Sequence, residues 1–393
     1  WLHTFRFRVS KFPRRRGFPR CSQGSPETVS TITHSQHNDE YFMSRALALA
    51  ARGLYTTTPN PRVGCVITNH DDIVGEGWHV NSGSAHAEVI ALEQAGAQAL
   101  GGTLYVTLEP CSHYGQTPPC VDAIVQAGII RVVFAAKDPN PIVDGRGMEY
   151  LVANGISVLG DVLSEKSEEL NLGFFKRMRS GRPWVRIKVA AGLDGKTALE
   201  NGKSQWITSE ESRADAHKWR AQSCVVLTGV GTVVEDDPRL TVRHVETNRQ
   251  PGKVIVDSRL RSPLNANLFK TPGVTVATAI RKQEQLHHFI EKGVNVLVLP
   301  DAEGRVDLDA LLLKLADQQI NEVLVEAGIN LHSALLNRDL IDEMIIYYAP
   351  KFLGAQGRGM FFLDELESME QVLEQNIIDI TPIGKDFRVT VRF

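Results

Sequence analysis

The chain lacks any apolar run long enough to cross a membrane as a helix, so the sequence predicts a soluble protein. Cysteine is sparse. Five in 393 residues, at positions 21, 65, 111, 120 and 224, have no disulfide-framework spacing, which excludes a stapled scaffold and fits a reducing compartment. Cys65 and Cys224 read as strand-core residues. Basic charge is also scarce outside the first residues: net charge is −3, which argues against a polynucleotide partner. No Gly-x-Gly-x-x-Gly follows a strand-like run, so the ordinary Rossmann fingerprint is missing. There is no short-period repeat and no coiled-coil heptad.

What basic excess exists lies in residues 1–37, where Arg6, Arg8, Lys11, Arg14, Arg15, Arg16 and Arg20 face only Glu27. Arg-rich and acid-poor, this segment reads as a disordered tail without catalytic role, or as an organelle transit peptide. The location expected is cytoplasmic, with a plastid as the alternative. Helical periodicity begins near Asp39, and from there strands and helices alternate, the pattern of an α/β layer fold. Ser180-Gly181-Arg182-Pro183 punctuates the chain before the apolar strand from Trp184 to Ala190. The expected units are therefore a tail, 1–37, a first domain, 38–182, and a second domain, 183–393.

The first domain carries His86-Ala87-Glu88, Pro110-Cys111 and Pro118-Pro119-Cys120. An imidazole and two thiolates can hold Zn²⁺ and leave its fourth position for water, which the metal acidifies. Glu88, two residues after His86, can move protons without being a ligand. Taken singly, His86 reads as a surface histidine and each cysteine as buried core. Together they fall at the ends of predicted elements, where functional loops lie. Nucleobase deaminases use this donor set, with a closer cysteine spacing than the one here.

The resemblance then becomes specific. Thr58-Pro59-Asn60-Pro61-Arg62-Val63-Gly64, Gly75-Glu76-Gly77-Trp78-His79 and Thr107-Leu108-Glu109-Pro110-Cys111, with Thr117-Pro118-Pro119-Cys120, resemble the deaminase half of the bifunctional riboflavin biosynthesis family. The resemblance implies a cytidine-deaminase-like three-layer domain in which His86, Cys111 and Cys120 hold zinc and Glu88 donates protons. It implies that Asn60 and His79 frame a pyrimidine. Gln116 departs from the family, where a basic residue is usual, which bears on phosphate affinity.

In the second half, two glycine turns follow apolar strands: Thr228-Gly229-Val230-Gly231-Thr232, and Glu326-Ala327-Gly328. Such turns are more often plain chain reversal, though their amides can cradle phosphate at a helix start. Thr208-Ser209-Glu210-Glu211 matches a capping box for a helix from Ser209 to Ala221. Lys188 and Glu326 are charges in apolar strands, and must find partners or shift their pKa. On the residues alone, Lys188 reads as an exposed strand face and Trp206 as core.

Lys188 through Ala198, Ser204 through Thr208, Asp236 through Arg243 and Val325 through Gly328 resemble the reductase half of the same family, similar in fold to dihydrofolate reductase. The resemblance implies NADPH contacts at Ala191, Trp206, Thr232, Asp236 and Gly328. It implies substrate contacts at Ser204, Arg220, Leu240, Arg243 and Glu326, with Lys188 supporting catalysis. Arg220 and Arg243 suit a ribose phosphate, since guanidinium presents a planar fork. The activities expected are zinc-dependent deamination of a pyrimidine ribose phosphate and NADPH-dependent reduction of its ribosyl group, in a homo-oligomer. Two rivals are a nucleic-acid-editing deaminase, against which the acidic body speaks, and a zinc-stabilised binding protein, against which Glu88 speaks. A chain with one working half is a third.

Overall fold

Two separate β-sheets organise the large unit of the chain, Asp39–Phe393. The computed structural model describes residues 27–112, 118–141, 143, 145–363 and 365–393, with side chains from Asn38 onward. Residues 1–26 and Gln116 lie outside the described residues. The first helix, α1 (Glu27–Ala50), begins well before Asp39, inside the segment expected to be a tail. Sequence periodicity missed that start because residues 27–38 carry few apolar side chains. The stripe that is legible, Phe42, Met43, Ala46, Leu47 and Leu49, packs on the sheet.

The first sheet contains β1 (Gly64–Asn69), β2 (Asp72–Trp78), β3 (Thr103–Leu108), β4 (Arg131–Ala136) and β5 (Ser157–Leu159), in the order β2-β1-β3-β4-β5. β1 runs antiparallel to β2 and β3, whereas β3, β4 and β5 are parallel. Side chains alternate across it. Val66, Tyr105 and Val133 meet α1 on one face, while Ile67, Leu104, Val106 and Val132 meet α2 (Ala87–Ala95), α3 (Cys120–Gln126) and α4 (Arg146–Ala153) on the other. The result is the three-layer arrangement the sequence implies. Two short helices, α5 (Ser164–Leu170) and α6 (Leu172–Ser180), lead to the second sheet.

That sheet begins with β6 (Trp184–Gly192), followed by α7 (Glu210–Gln222), β7 (Val225–Gly229), α8 (Val230–Asp236), β8 (Gly252–Val256) and β9 (Val274–Thr278). The chain continues through α9 (Gln283–Ile290), β10 (Asn295–Val298), α10 (Leu308–Asp317), β11 (Glu322–Val325), α11 (Ile329–Leu336) and β12 (Glu343–Ala349). It closes with the hairpin β13 (Asn376–Ile383) and β14 (Asp386–Arg392). The strand order is β10-β9-β8-β7-β11-β6-β12-β14-β13, parallel from β10 to β12 and antiparallel at the hairpin. Sequence reading missed the hairpin, although Gly384 marks its turn with a φ of 58°.

The capping box also shifts by one residue. Ser209, rather than Thr208, caps α7 by accepting from the Ser212 amide. The carboxylate that answers the Ser209 amide comes from Asp386 of the unforeseen hairpin, at 2.7 Å.

Charge is buried where the two sheets meet. Arg62, from the loop before β1, pairs with Glu322 at the start of β11 at 2.7 Å, and Arg186 of β6 approaches the same carboxylate at 3.3 Å and also pairs with Glu343. All four are buried. Burial pushes the Glu322 carboxyl up, but Arg62 and then Arg186 outweigh it and hold it below the usual carboxylate range. Thr58 Oγ1 lies 2.8 Å from Cys224 Sγ, and Arg249 donates to the carbonyls of Tyr55, Ala221 and Ser223.

Removing one member of a buried pair leaves an uncompensated charge, so Arg62→Met should lower stability by about 3–5 kcal/mol. With its folded-state pKa depressed, Glu322 stabilises above the unfolded carboxylate pKa, and that contribution fades as pH falls through the folded value. In the variant this acid loss should move to higher pH. Chemical denaturation of both proteins across pH checks the size and the sign.

Candidate active sites

Glycine places the first site. A Cβ at Gly77 of β2 would overlap the carbonyl oxygen of Ala87, and one at Gly75 would overlap that of Ala91, so α2 lies directly on the strand. That close approach fixes His86, the N-cap residue of α2, and Glu88 in its first turn. Cys111 follows β3 and Cys120 opens α3. His86 Nδ1 lies 3.1 Å from Cys120 Sγ and 3.6 Å from Cys111 Sγ, and the three donor atoms all lie within 4.8 Å of one another. Tetrahedral zinc, with bonds of about 2.0–2.3 Å, spaces its donors about 3.5 Å apart, so this cluster fits the ion. Hydrogen bonding from Cys120 contributes most to pushing the Cys111 thiol down, favouring the thiolate that a metal needs.

Glu88 is buried within a cavity of about 390 Å³ that is also lined by Pro59, Asn60, His79, His86 and Cys111. Burial, then the Cys111 sulfur, push its carboxyl up, towards a form that carries a proton. Asn60 Nδ2 donates to His79 Nε2 at 3.0 Å, while His79 Nδ1 donates to the Ala85 carbonyl at 3.1 Å. Burial pushes the pKa of this imidazole down. The structure therefore brings together all six residues singled out for this half: Asn60, His79, His86, Glu88, Cys111 and Cys120. Glu109, in the same motif, is a structural anchor whose carboxylate accepts from the amides of Asp138, Gly145 and Met148. Sequence reading missed Arg177 and Gln319, which also line the cavity.

The second site is a cleft of about 1110 Å³ reaching the ends of β7, β8 and β11. Ligands of open α/β sheets bind at carboxyl ends of strands. Lys188, Ser204, Trp206, Arg220, Thr232, Asp236, Leu240, Arg243, Glu326 and Gly328 all line it. Ala191 does not. Strand alternation turns it into the core, and Ala190 faces the cleft in its place. Trp206 is 65% exposed, so it is not core, and Arg213 stacks over its ring at 4.5 Å. Leu240 is buried with a left-handed φ of 52°, strain of the kind functional loops hold.

Glu326 determines the electrostatics of this cleft. Arg220 grips both its oxygens, the Nη2 contact at 3.0 Å, and Lys188 Nζ lies 3.3 Å away. Burial would push the Glu326 carboxyl up, but Arg220 and Lys188 outweigh it and hold it well below the usual range. Arg220 also donates to the Thr241 carbonyl at 3.0 Å, so the fork expected to take substrate phosphate is already committed to Glu326. Arg243 is exposed, and its guanidinium is bonded only to Thr241 Oγ1 at 3.2 Å among the described residues. Two histidines escaped sequence reading: His217, which accepts from the Arg243 amide, and buried His332. Burial, with nearby cations, pushes each down to about 4. Gly328 caps α11, and the space where its Cβ would stand is empty, leaving room for a phosphate against the helix start.

Residues 183–388 match the family described as RibD C-terminal domain, and residues 36–136 match the zinc-binding region of cytidine and deoxycytidylate deaminases. The chain belongs to the RibD family of riboflavin biosynthesis proteins. It is 46% identical to RibD of Escherichia coli over 360 residues, covering 88% of this chain and 97% of that one. With RibD of Haemophilus influenzae it shares 43% over 366 residues, covering 90% and 96%. Among solved structures, Acinetobacter baumannii RibD superposes with a TM-score of 0.85 at 45% identity, covering 91% of this chain and 99% of that one. A Thermotoga maritima diaminohydroxyphosphoribosylaminopyrimidine deaminase/5-amino-6-(5-phosphoribosylamino)uracil reductase gives 0.80 at 33%, with the same coverage. Members of this RibD family join a zinc-dependent deaminase to an NADPH-dependent reductase, and the two sites of this chain have the residues for both.

Because Glu88 stands beside the donor cluster and outside it, Glu88→Gln should retain zinc and lose ammonia release by about two orders of magnitude or more. Cys111→Ser should lose zinc and activity together. Metal analysis beside an ammonia assay distinguishes the two.

Proposed function

We propose that residues 38–182 deaminate diaminohydroxyphosphoribosylaminopyrimidine and residues 183–393 reduce the ribosyl group of the resulting 5-amino-6-(5-phosphoribosylamino)uracil to ribityl. The observation that carries this reading is the pairing, in one chain, of a His86–Cys111–Cys120 cluster beside buried Glu88 with a cleft built around Glu326. Zinc supplies the Lewis acidity that makes water a nucleophile near neutral pH. His86, Cys111 and Cys120 would hold it. Glu88 would take a proton from the attacking water and return protons to the ring nitrogen and the departing amine. Asn60 and His79, locked to each other, present fixed polar edges to the pyrimidine.

In the second cleft NADPH supplies the hydride. Trp206, Thr232, Asp236 and the amides from Gly328 would hold the cofactor, while Arg243 takes the substrate phosphate and Ser204, Leu240 and Glu326 position the sugar. Glu326 holds the Lys188 ammonium 3.3 Å away in the cleft, and Arg220 keeps that carboxylate ionised and still. The natural assembly is a homo-oligomer: exposed Ile377, Ile378 and Ile380 make β13 an apolar sheet edge that a second copy would cover. Among the described residues all four cysteines are free of disulfides, which supports a cytoplasmic location.

Arg243 and Asp236 should separate kinetically. Losing a charge-assisted phosphate contact costs about 1.5–3 kcal/mol, so Arg243→Ala should raise the substrate KM about tenfold to hundredfold and spare NADPH binding. Asp236→Ala should do the reverse. NADPH oxidation with the deaminated substrate, titrating each ligand in turn, measures both, and weakened NADPH binding with normal substrate KM in Arg243→Ala would remove its phosphate role.

A further inference from the structure

We propose that Arg177 is the anion-binding residue of the deaminase cavity, receiving the ribose phosphate of the substrate, and that Asn321 from the reductase half holds it in place. The proposal rests on the deaminase reading above. That reaction takes a phosphorylated pyrimidine, so its cavity must meet a phosphate with positive charge. Arg177 is the one lysine or arginine among the described residues lining the cavity, which otherwise carries Glu88, Glu109 and Asp138.

Three other arginines of this region are already engaged. Arg62 pairs with Glu322, Arg179 with Glu168, and Arg249 donates to three backbone carbonyls. Arg177 differs. Its Nε donates to Asn321 Oδ1 at 2.6 Å, and its terminal nitrogens have no hydrogen-bond or ion-pair partner among the described residues. A guanidinium steadied through Nε presents its other edge as a planar fork, the geometry that grips phosphate at two points. Arg177 is half-buried, and lost hydration pulls its pKa down, so an arriving anion would restore what water no longer supplies.

Asn321 is fixed from several sides. Its Nδ2 donates to the Pro59 carbonyl at 2.8 Å, its amide to Cys224 Sγ at 3.3 Å, and its carbonyl accepts from the Trp184 amide at 2.8 Å. Its side chain thus joins Arg177 to the Pro59-Asn60 turn that lines the same cavity. Gln319, two residues earlier, also lines the cavity. The reductase half therefore completes the deaminase site, with Asn321 a positioning residue that acts through Arg177.

The test measures ammonia release by the full-length, zinc-loaded protein with the phosphorylated pyrimidine and with its 5′-hydroxyl counterpart. Arg177→Met should raise the KM for the phosphorylated substrate roughly tenfold to hundredfold while leaving zinc content and the KM for the 5′-hydroxyl substrate unchanged. Arg177→Lys should recover part of the difference, and Asn321→Ala should produce a smaller shift with the same selectivity. Inorganic phosphate should inhibit the parent protein competitively and Arg177→Met far less. An unchanged KM in Arg177→Met, or an equal loss for both substrates, would overturn the proposal. If the parent protein released no ammonia from either substrate, the deaminase reading itself would fall, and this proposal with it.

Discussion

One buried carboxylate is shared between the two lobes that carry the sites. Glu322 lies between Arg62 of the first lobe and Arg186 of the second, and desolvation makes that arrangement intolerant of losing a partner. It sits at the start of β11, whose far end leads directly into Glu326 in the reductase cleft. Just before Glu322, Gln319 lines the deaminase cavity and Asn321 accepts from Arg177, which lines it too. A four-residue strand, paired with β6 on one edge and β7 on the other, therefore has one end towards each active site, and the pairing of Glu322 with Arg62 ties its first residue to the first lobe. The halves of this chain consequently meet as parts of one structure, although each has its own sheet and core.

The same side-chain type is used in opposite ways at the two sites. Glu88 and Glu326 are both buried glutamates, yet one is pushed towards its protonated form and the other is held ionised. The cause is their company. Glu88 faces a thiol cluster, with no lysine or arginine paired to it among the described residues, and so is suited to exchange protons. Glu326 is held between Arg220 and Lys188, and so acts as a fixed negative charge that orients its partners. Environments that pull like groups apart assign them their chemical roles.

Much of this was legible in the sequence because the chemistry is local. His86 and Glu88 lie within one helical turn, and the two cysteines open and close a single loop, so spacing alone suggested the metal site. Alternating apolar strands gave the first sheet and the parallel part of the second. What escaped required contacts between distant segments. Arg220 looked like a phosphate ligand because nothing near it in sequence shows that Glu326 already occupies its fork. Ala191 looked like a cofactor contact, but the strand's alternation turns it inward. Asp386 caps α7 from the far end of the chain, and Arg177 lines the deaminase cavity with its Nε bonded to Asn321 of the other lobe. The early start of α1 was hidden because its first turns lack the apolar stripe that marks a packed helix.

The central claim is that deamination depends on the His86–Cys111–Cys120 cluster while reduction takes place in the separate cleft around Glu326. Ammonia and NADPH can be followed together in the purified protein before and after zinc is removed by a chelator. The account predicts that chelation abolishes ammonia release, that NADPH oxidation with the pre-deaminated substrate continues at its original rate, and that added zinc restores ammonia release. Continued ammonia release from the metal-free protein, or reduction that falls and recovers in step with the metal, would contradict it.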